Sequence, residues 1–155
     1  MKNMKGFTLV ELLAVIVILA IVALVTAPAI LNVINDSREK GAQDKAWGTI
    51  DAVKLAYTQS QNSGDTYATS GNHVVCFGST NSGCTTTGGK ITGSKNISMS
   101  GDKPTSGKVT INLETGEIFA TDLVFTGNGT YTCSSSTTGT KMCCEAKSSG
   151  SVSCQ

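Results

Sequence analysis

One carboxylate lies at the start of a long apolar run near the N-terminus. Glu11 is followed by fourteen consecutive apolar residues, from Leu12 to Val25. An acid at the centre of a membrane-spanning helix costs about 2.5–3.5 kcal/mol on insertion scales, and less near the interface. The carboxylate therefore needs a compensating contact. Within its own chain, Glu11 could snorkel to the lipid headgroups or cap the N-terminus of its helix, where the macrodipole favours an anion.

Cysteine is the second residue type that could carry chemistry here. Metal sites usually need Cys or His ligands at spacings such as C-x-x-C, which this chain does not offer, and His73 is its single histidine. The adjacent Cys143 and Cys144 could form a redox pair only if one thiol had a lowered pKa. Two lysines are the only nearby residues that would lower it, so a redox role is not favoured. Structural disulfides, which persist outside the cytosol, are therefore predicted, with no metal site. The six cysteines are Cys76, Cys84, Cys133, Cys143, Cys144 and Cys154.

Six cysteines allow fifteen disulfide connectivities. Adjacent cysteines seldom bond each other, and Cys76 with Cys84 would close a short local loop. We therefore predict a Cys76–Cys84 bridge, with Cys133 and Cys154 each bonded to one member of the Cys143/Cys144 pair. The sequence leaves open which member pairs with which.

Other kinds of chemistry find little support in the sequence. With one histidine, no recognisable Ser/His/Asp grouping and no glycine loop that opens a helix after a strand, we expect neither catalytic residues nor a cofactor. The formal net charge of the chain is +1. Because no basic stripe is present, direct nucleic-acid binding is not predicted.

Residues 7–31 form the apolar element that carries Glu11. As a helix they would span about 37 Å, enough to cross a hydrocarbon core of ~30 Å. Lys2 and Lys5 precede this element without any acid, so the N-terminus is predicted to stay in the cytoplasm and the rest of the chain to lie outside.

The N-terminal sequence resembles that of type IV prepilins and their pseudopilin relatives. The resemblance covers about residues 1–35 and rests on a basic leader (residues 1–6), the junction between Gly6 and Phe7, the sequence Thr-Leu-Val-Glu that ends at Glu11, and the apolar stretch. A secretory signal is cut after its apolar segment, which cleavage removes. Here the candidate junction precedes that segment, so the apolar helix would stay on the mature protein.

The resemblance implies both processing and assembly. A prepilin peptidase would cut after Gly6 and methylate the new amine of Phe7, which keeps its positive charge. This ammonium would then meet Glu11 of a neighbouring subunit, so the acid would set the register between helices. The implied partners are copies of the same chain, the peptidase/methylase, the pilus assembly machinery and, before assembly, the membrane.

The helix is predicted to continue beyond the apolar element, from Phe7 to about Gln61. Pro28 would produce a kink or local melting, because its ring crowds the carbonyl of the residue four positions earlier and it lacks an N–H. Either it is an ordinary membrane-helix proline, or, as the resemblance implies, the helix stretches there when subunits leave the bilayer. Residues 32–62 are amphipathic, and we predict that one stripe packs on a sheet: Ala46, Ile50, Val53 and Tyr57, with Trp47 at its margin.

Residues 63–155 are rich in Ser, Thr, Gly and Asn, and they predict a small head domain stapled by disulfides. The fold class expected for the chain is α+β, with a long N-terminal helix packed on a small antiparallel sheet. Three or four strands are predicted late in the chain, at Lys108–Leu113, Glu117–Thr121, Leu123–Thr126 and Thr130–Cys133, the last two joined by a Gly-Asn-Gly hairpin. A further strand at His73–Phe77 is expected in the loop between the helix and the sheet.

Three functions remain open at this stage. The sequence favours a structural subunit of an extracellular type IV pilus, located in the cytoplasmic membrane before assembly. A pseudopilin of a type II secretion or competence DNA-uptake machine shares the same N-terminus. A monomeric single-pass anchor for an exterior binding domain would leave the Gly6-Phe7 junction and Glu11 unexplained. Adhesion, twitching motility, aggregation and DNA capture are all compatible with a filament.

Overall fold

The computed structural model describes residues 6–62, 71–78, 97–127, 129–147 and 150–154. These parts of the chain contain one helix and five strands, in the order α1 (Leu9–Asn62), β1 (Asn72–Phe77), β2 (Ser106–Asn112), β3 (Ile118–Gly127), β4 (Gly129–Ser135) and β5 (Met142–Glu145). The predicted α+β class is confirmed. The chain divides into two compact units, Met1–Ser37 and Arg38–Gln155.

The first unit contains the apolar part of α1. Its large apolar side chains are exposed on every side of the helix, from Leu9 at 79% to Ile34 at 39%. By length and composition this helix could cross a membrane. The helix is continuous through Pro28 in the single chain. A kink or local melting at this place stays a prediction.

The second unit contains the remainder of α1, which packs on the sheet through one face. Ala46, Ile50 and Val53 are buried, and Tyr57 and Trp47 pack against them at the edge of the core, which confirms the predicted stripe. Two further buried positions on this face, Ala42 and Thr49, were not predicted. Small residues at these positions let the helix approach the strands closely, because they fill little space between the two layers.

The sheet is a five-stranded antiparallel meander in which each strand pairs with the next along the chain. β2 to β5 are four strands late in the chain, and β1 is the further strand predicted at His73–Phe77, so the number of strands agrees with the prediction although the individual runs differ. β5 was not predicted because four residues that include two cysteines show no clear alternation. β1 is an edge strand paired with β2, with Val75 opposite Val109, so it lies in the sheet and not in a loop beside it.

β3 is one strand of ten residues, although the sequence predicted two separate runs within it. The runs are joined at a β-bulge where Gly107 of β2 faces both Asp122 and Leu123 of β3. Asp122 has φ +51°, and Gly107 has φ +110°. A Cβ at Gly107 would collide with the backbone of Asp122 and lie 2.7 Å from Cα of Leu123. The bulge therefore needs glycine on one strand and a residue that tolerates the left-handed region on the other.

Asp122 also holds the C-terminal segment against the sheet. Its Oδ1 accepts hydrogen bonds from the backbone N–H of Val152 at 3.2 Å and from the hydroxyl of Ser134 at 3.3 Å. Its Oδ2 accepts a bond from the hydroxyl of Ser151 at 3.3 Å. The Val152 side chain is buried. One carboxylate, aimed by the bulge, thus binds a segment about thirty residues further along the chain.

Substitutions at Asp122 should distinguish its two contributions to stability, which are the backbone conformation of the bulge and the hydrogen bonds to the C-terminal segment. Asp122→Gly keeps the backbone free to adopt φ > 0 but removes the acceptors, which should cost about 1–3 kcal/mol. Asp122→Ala loses the same acceptors and adds left-handed strain, so it should be less stable by a further few tenths to ~1 kcal/mol. Asp122→Asn keeps one acceptor and should lose least. Urea unfolding of a head fragment beginning at Asn35 measures the order, and equal stability of the Asn and Ala variants would contradict it.

Candidate functional site

The N-terminus of α1 is closed by a reciprocal contact between Thr8 and Glu11. The Thr8 backbone N–H donates to Oε2 of Glu11 at 2.9 Å, and the Thr8 hydroxyl donates to the same oxygen at 2.9 Å. In return, the Glu11 backbone N–H donates to the Thr8 hydroxyl oxygen at 3.3 Å. This is a capping box, in which an N-cap threonine and the acid three residues later satisfy backbone donors that the first helical turn leaves without partners.

The capping box gives Glu11 a compensating contact within its own chain. Of the two local contacts considered for this acid, snorkelling to the headgroups and capping of the helix, the single chain makes the capping contact. Both hydrogen bonds end on Oε2, and Oε1 accepts none from the described residues. Thr8 was not predicted to take part, although the T-x-x-E spacing is a recognisable signal for such a box. The contact fixes the carboxylate at the helix start, four positions beyond Phe7.

The candidate processing site lies immediately before this turn. Gly6 and Phe7 precede the helix and are exposed, and the Phe7 side chain is 89% exposed. Nothing lies within 4 Å of where a Cβ on Gly6 would be. The peptide bond between the two residues is therefore in a non-helical and accessible segment, as a peptidase requires. The leader residues before Gly6 lie outside the described residues.

The head domain carries the predicted cysteines, and the structure resolves the pairing that the sequence left open. It joins Cys133 to Cys144 and Cys143 to Cys154. Cys76 is also disulfide-bonded, and the predicted partner Cys84 lies outside the described residues. That bridge stays a prediction.

The alternation of side chains along β5 explains how two adjacent cysteines serve two bridges. Consecutive residues in a strand point to opposite faces of the sheet. Cys144 is buried on the core side, directly opposite Cys133 in the ladder, with 4.1 Å between the Cα atoms. Cys143 is half-buried on the other side and binds Cys154 of the C-terminal segment. One bridge therefore joins two strands inside the core, and the other ties the chain end to the edge strand.

The inner bridge also contacts the helix. Sγ of Cys133 lies 3.7 Å from the carbonyl oxygen of Ala42. Because a disulfide sulfur carries no hydrogen, this is a packing contact and not a hydrogen bond. It places the bridge between the sheet and α1, where Cys133 is fully buried.

A comparison with known proteins identifies the N-terminal segment. Residues 1–27 match the family model described as the prokaryotic N-terminal methylation motif. This motif is the signature of type IV prepilins and pseudopilins, so the resemblance drawn from the sequence is confirmed for this segment. It implies processing by a prepilin peptidase and assembly into a pilus-like machinery. No curated protein and no solved structure matches the chain.

The two described disulfides provide a matched comparison, because each closes a sequence separation of 11 residues. In the chain-entropy account each should contribute a similar term, about 3 kcal/mol. Replacing Cys133 and Cys144 by alanine also removes buried packing, so this variant should unfold at a lower temperature than the Cys143→Ala/Cys154→Ala variant. Thermal unfolding of the head fragment measures both. An equal or reversed order would contradict the central position of the inner bridge.

Proposed function

We propose that this chain is a structural subunit of an extracellular type IV pilus, cut after Gly6 and assembled through α1. The observation that carries the proposal is the exposed apolar surface on every side of α1 between Leu9 and Ile34, with one acid in the first turn. A helix that is apolar all round needs lipid or other helices around it. Copies of the same helix, packed in a filament, would provide that cover after the subunit leaves the membrane.

The charge at the helix start would then control the register of the subunits. Cleavage after Gly6 creates an ammonium on Phe7, and N-methylation keeps it positive. In the filament this group would meet Glu11 of a neighbouring subunit. Removing one partner of a buried ion pair costs far more than the pair itself contributes, so subunits staggered to bring the two charges together would be favoured. The capping box supports this role because it holds the carboxylate at the helix start through one oxygen.

The proposal also gives the chain its partners and its location. Before assembly the helix would anchor the subunit in the cytoplasmic membrane, with the N-terminus inside and the head outside. The prepilin peptidase/methylase and the assembly machinery would act on it there, and the finished filament would lie at the cell surface. The role is structural and not enzymatic.

The methylation motif is shared with pseudopilins of secretion and DNA-uptake machines. We favour a pilus because the head is an extended sheet stapled by disulfides, as suits exposure outside the cell. A monomeric membrane anchor is less well supported, since it would need neither the Gly6-Phe7 junction nor the acid at the start of the helix.

Glu11→Ala should abolish filaments while it leaves membrane insertion intact or improves it, because the variant removes the only acid of the apolar helix. Filaments are counted by electron microscopy, and subunits in the membrane fraction by immunoblot. Asp51→Ala, which removes an exposed acid further along the same helix, is the matched control and should assemble normally.

Thr8→Ala distinguishes intersubunit pairing from capping alone. It removes the hydroxyl of the capping box but keeps the Glu11 charge, so filaments should still form, with a less stable first turn by about 1 kcal/mol. If Thr8→Ala removed filaments as completely as Glu11→Ala, the capping role would be sufficient and the pairing role would be wrong.

Processing should be visible in the mass of the subunit. Electron microscopy of shed surface material should show a helical fibre, and mass spectrometry should find its subunit beginning at Phe7. Gly6→Arg should retain all six leader residues and shed no fibre, because the peptidase can no longer accommodate the residue before the cut. A fibre whose subunit retains the leader would reject the assigned junction, and an absence of any fibre from the native chain would reject the pilus.

A further inference from the structure

A basic cleft lies between the helix and the β3–β4 hairpin of the head. It encloses about 160 Å³ and is open to solvent on one side. Its walls are formed by Arg38 and Lys45 of α1, by Phe125 and Tyr131 of the two strands, and by Gly127 and Gly129 of the hairpin. No carboxylate is among the lining residues. The cleft therefore combines positive charge with aromatic walls.

Arg38 supplies the charge that is available to a ligand. Nζ of Lys45 donates to Oδ2 of Asp102 at 2.8 Å, and this hydrogen bond, together with the lysine charge, lowers the pKa of Asp102. Lys45 is thus already paired. Arg38 is exposed, and in the described part of the chain no carboxylate forms an ion pair with it. It is the only arginine in the sequence, and its planar guanidinium is suited to bind a carboxylate through two parallel hydrogen bonds.

Carboxylates that could enter this cleft lie on the turn between β2 and β3. Glu114 and Glu117 are both exposed there, and neither forms an ion pair within the described residues. The turn is held firmly, since Oδ1 of Asn112 accepts the backbone N–H of Glu114 at 2.9 Å and that of Thr115 at 3.2 Å. A rigid, protruding turn can enter a cleft with little loss of conformational entropy.

The other described acids of the head are less suitable. Asp102 and Glu145 pair with lysines, and Asp122 binds the C-terminal segment. Glu39, Asp44 and Asp51 are exposed, but they lie on α1, which itself forms one wall of the cleft, and not on a turn.

The acidic turn and the basic cleft lie at opposite ends of β3. Glu117 directly precedes Ile118, where the strand begins, and Phe125 lies near its end at Gly127. Ten residues of strand span on the order of 30 Å. A turn at this distance cannot occupy the cleft of its own chain, but the turn of a second copy can. Complementary features at the two ends of one molecule produce a head-to-tail contact, which builds open helical polymers when the rotation does not close a ring.

We propose that the acidic β2–β3 turn of one subunit docks into the basic cleft of the next, with Glu114 or Glu117 bound to Arg38. The contact gives the heads of the filament a direction along the fibre. This inference rests on the proposed function, which it deepens by naming a contact between subunits outside α1.

The test is a charge reversal and its compensation in the full-length chain. Arg38→Glu places like charges together and should reduce filament yield at least about tenfold. Glu114→Arg/Glu117→Arg should do the same. All three changes combined restore opposite charges and should recover most of the yield. Lys108→Glu, on an exposed strand position outside both surfaces, is the matched control and should assemble normally. Immunoblots of membrane fractions establish that each variant is made and inserted.

A photo-cross-linker separates this contact from other effects of charge. Benzoylphenylalanine in place of Glu114 in assembled filaments should give a two-subunit product whose linked peptides include residues from the 38–45 segment. Recovery without this cross-link, or full assembly of Arg38→Glu, would overturn the docking while the filament itself stands. Loss on reversal without recovery in the combined variant would also overturn it. An absence of fibres from the unaltered chain would instead reject the proposed function and the docking with it.

Discussion

The apolar surface of α1 between Leu9 and Ile34 has to be covered by something other than water. Within the part of the chain that the structure describes, these side chains are exposed on every side of the helix. Burial of apolar area is the main favourable term in protein association. The same surface is suited first to lipid and then to sister helices, because both are apolar. A single helix can therefore serve as a membrane anchor and as a polymerisation element.

Polar groups in such a helix need local partners, and the chain provides them. Thr8 and Glu11 satisfy each other and the first helical turn. Further along, the Thr26 hydroxyl donates to the carbonyl oxygen of Val22 at 3.0 Å, so this side chain brings no unsatisfied hydroxyl into the apolar surface. An acid that is already held by its own helix start can stay there at low cost, and its remaining oxygen can serve a second contact. Local capping and intersubunit pairing are for this reason compatible.

The head domain has only a small hydrophobic core to stabilise it. Its buried residues form one layer between α1 and a five-stranded sheet. A small domain buries a smaller fraction of its surface than a large one, so covalent links contribute relatively more to its stability. The inner bridge joins strands beneath the helix, whereas the outer bridge and the Asp122 contact both hold the C-terminal segment. Two independent restraints thus hold the C-terminal segment on the head.

The sequence by itself determined those features that depend on local residue patterns. Periodicity identified the helix, its apolar and amphipathic parts and the packing stripe through Val53, because residues on one helical face recur at a fixed interval. The junction at Gly6 and Phe7 and the acid at position 11 form a contiguous motif, so they could be recognised without a fold. Alternation located β2, the Gly-Asn-Gly signal located β4, and adjacency argued against a bond between Cys143 and Cys144.

Only the tertiary structure decided the features that depend on distant residues meeting. Cys133 bonds Cys144 because Cys144 lies on the face of β5 that meets the core. The sequence of a four-residue strand is too short to show which face that is. The union of two runs into β3 depends on Gly107 of the neighbouring strand, which receives the bulge. The contact of Asp122 with Val152 joins positions 30 residues apart, and no local rule predicts such a pair. Pairings of this kind depend on how whole helices and strands pack together. That packing depends on many residues at once, so no short stretch of sequence predicts it.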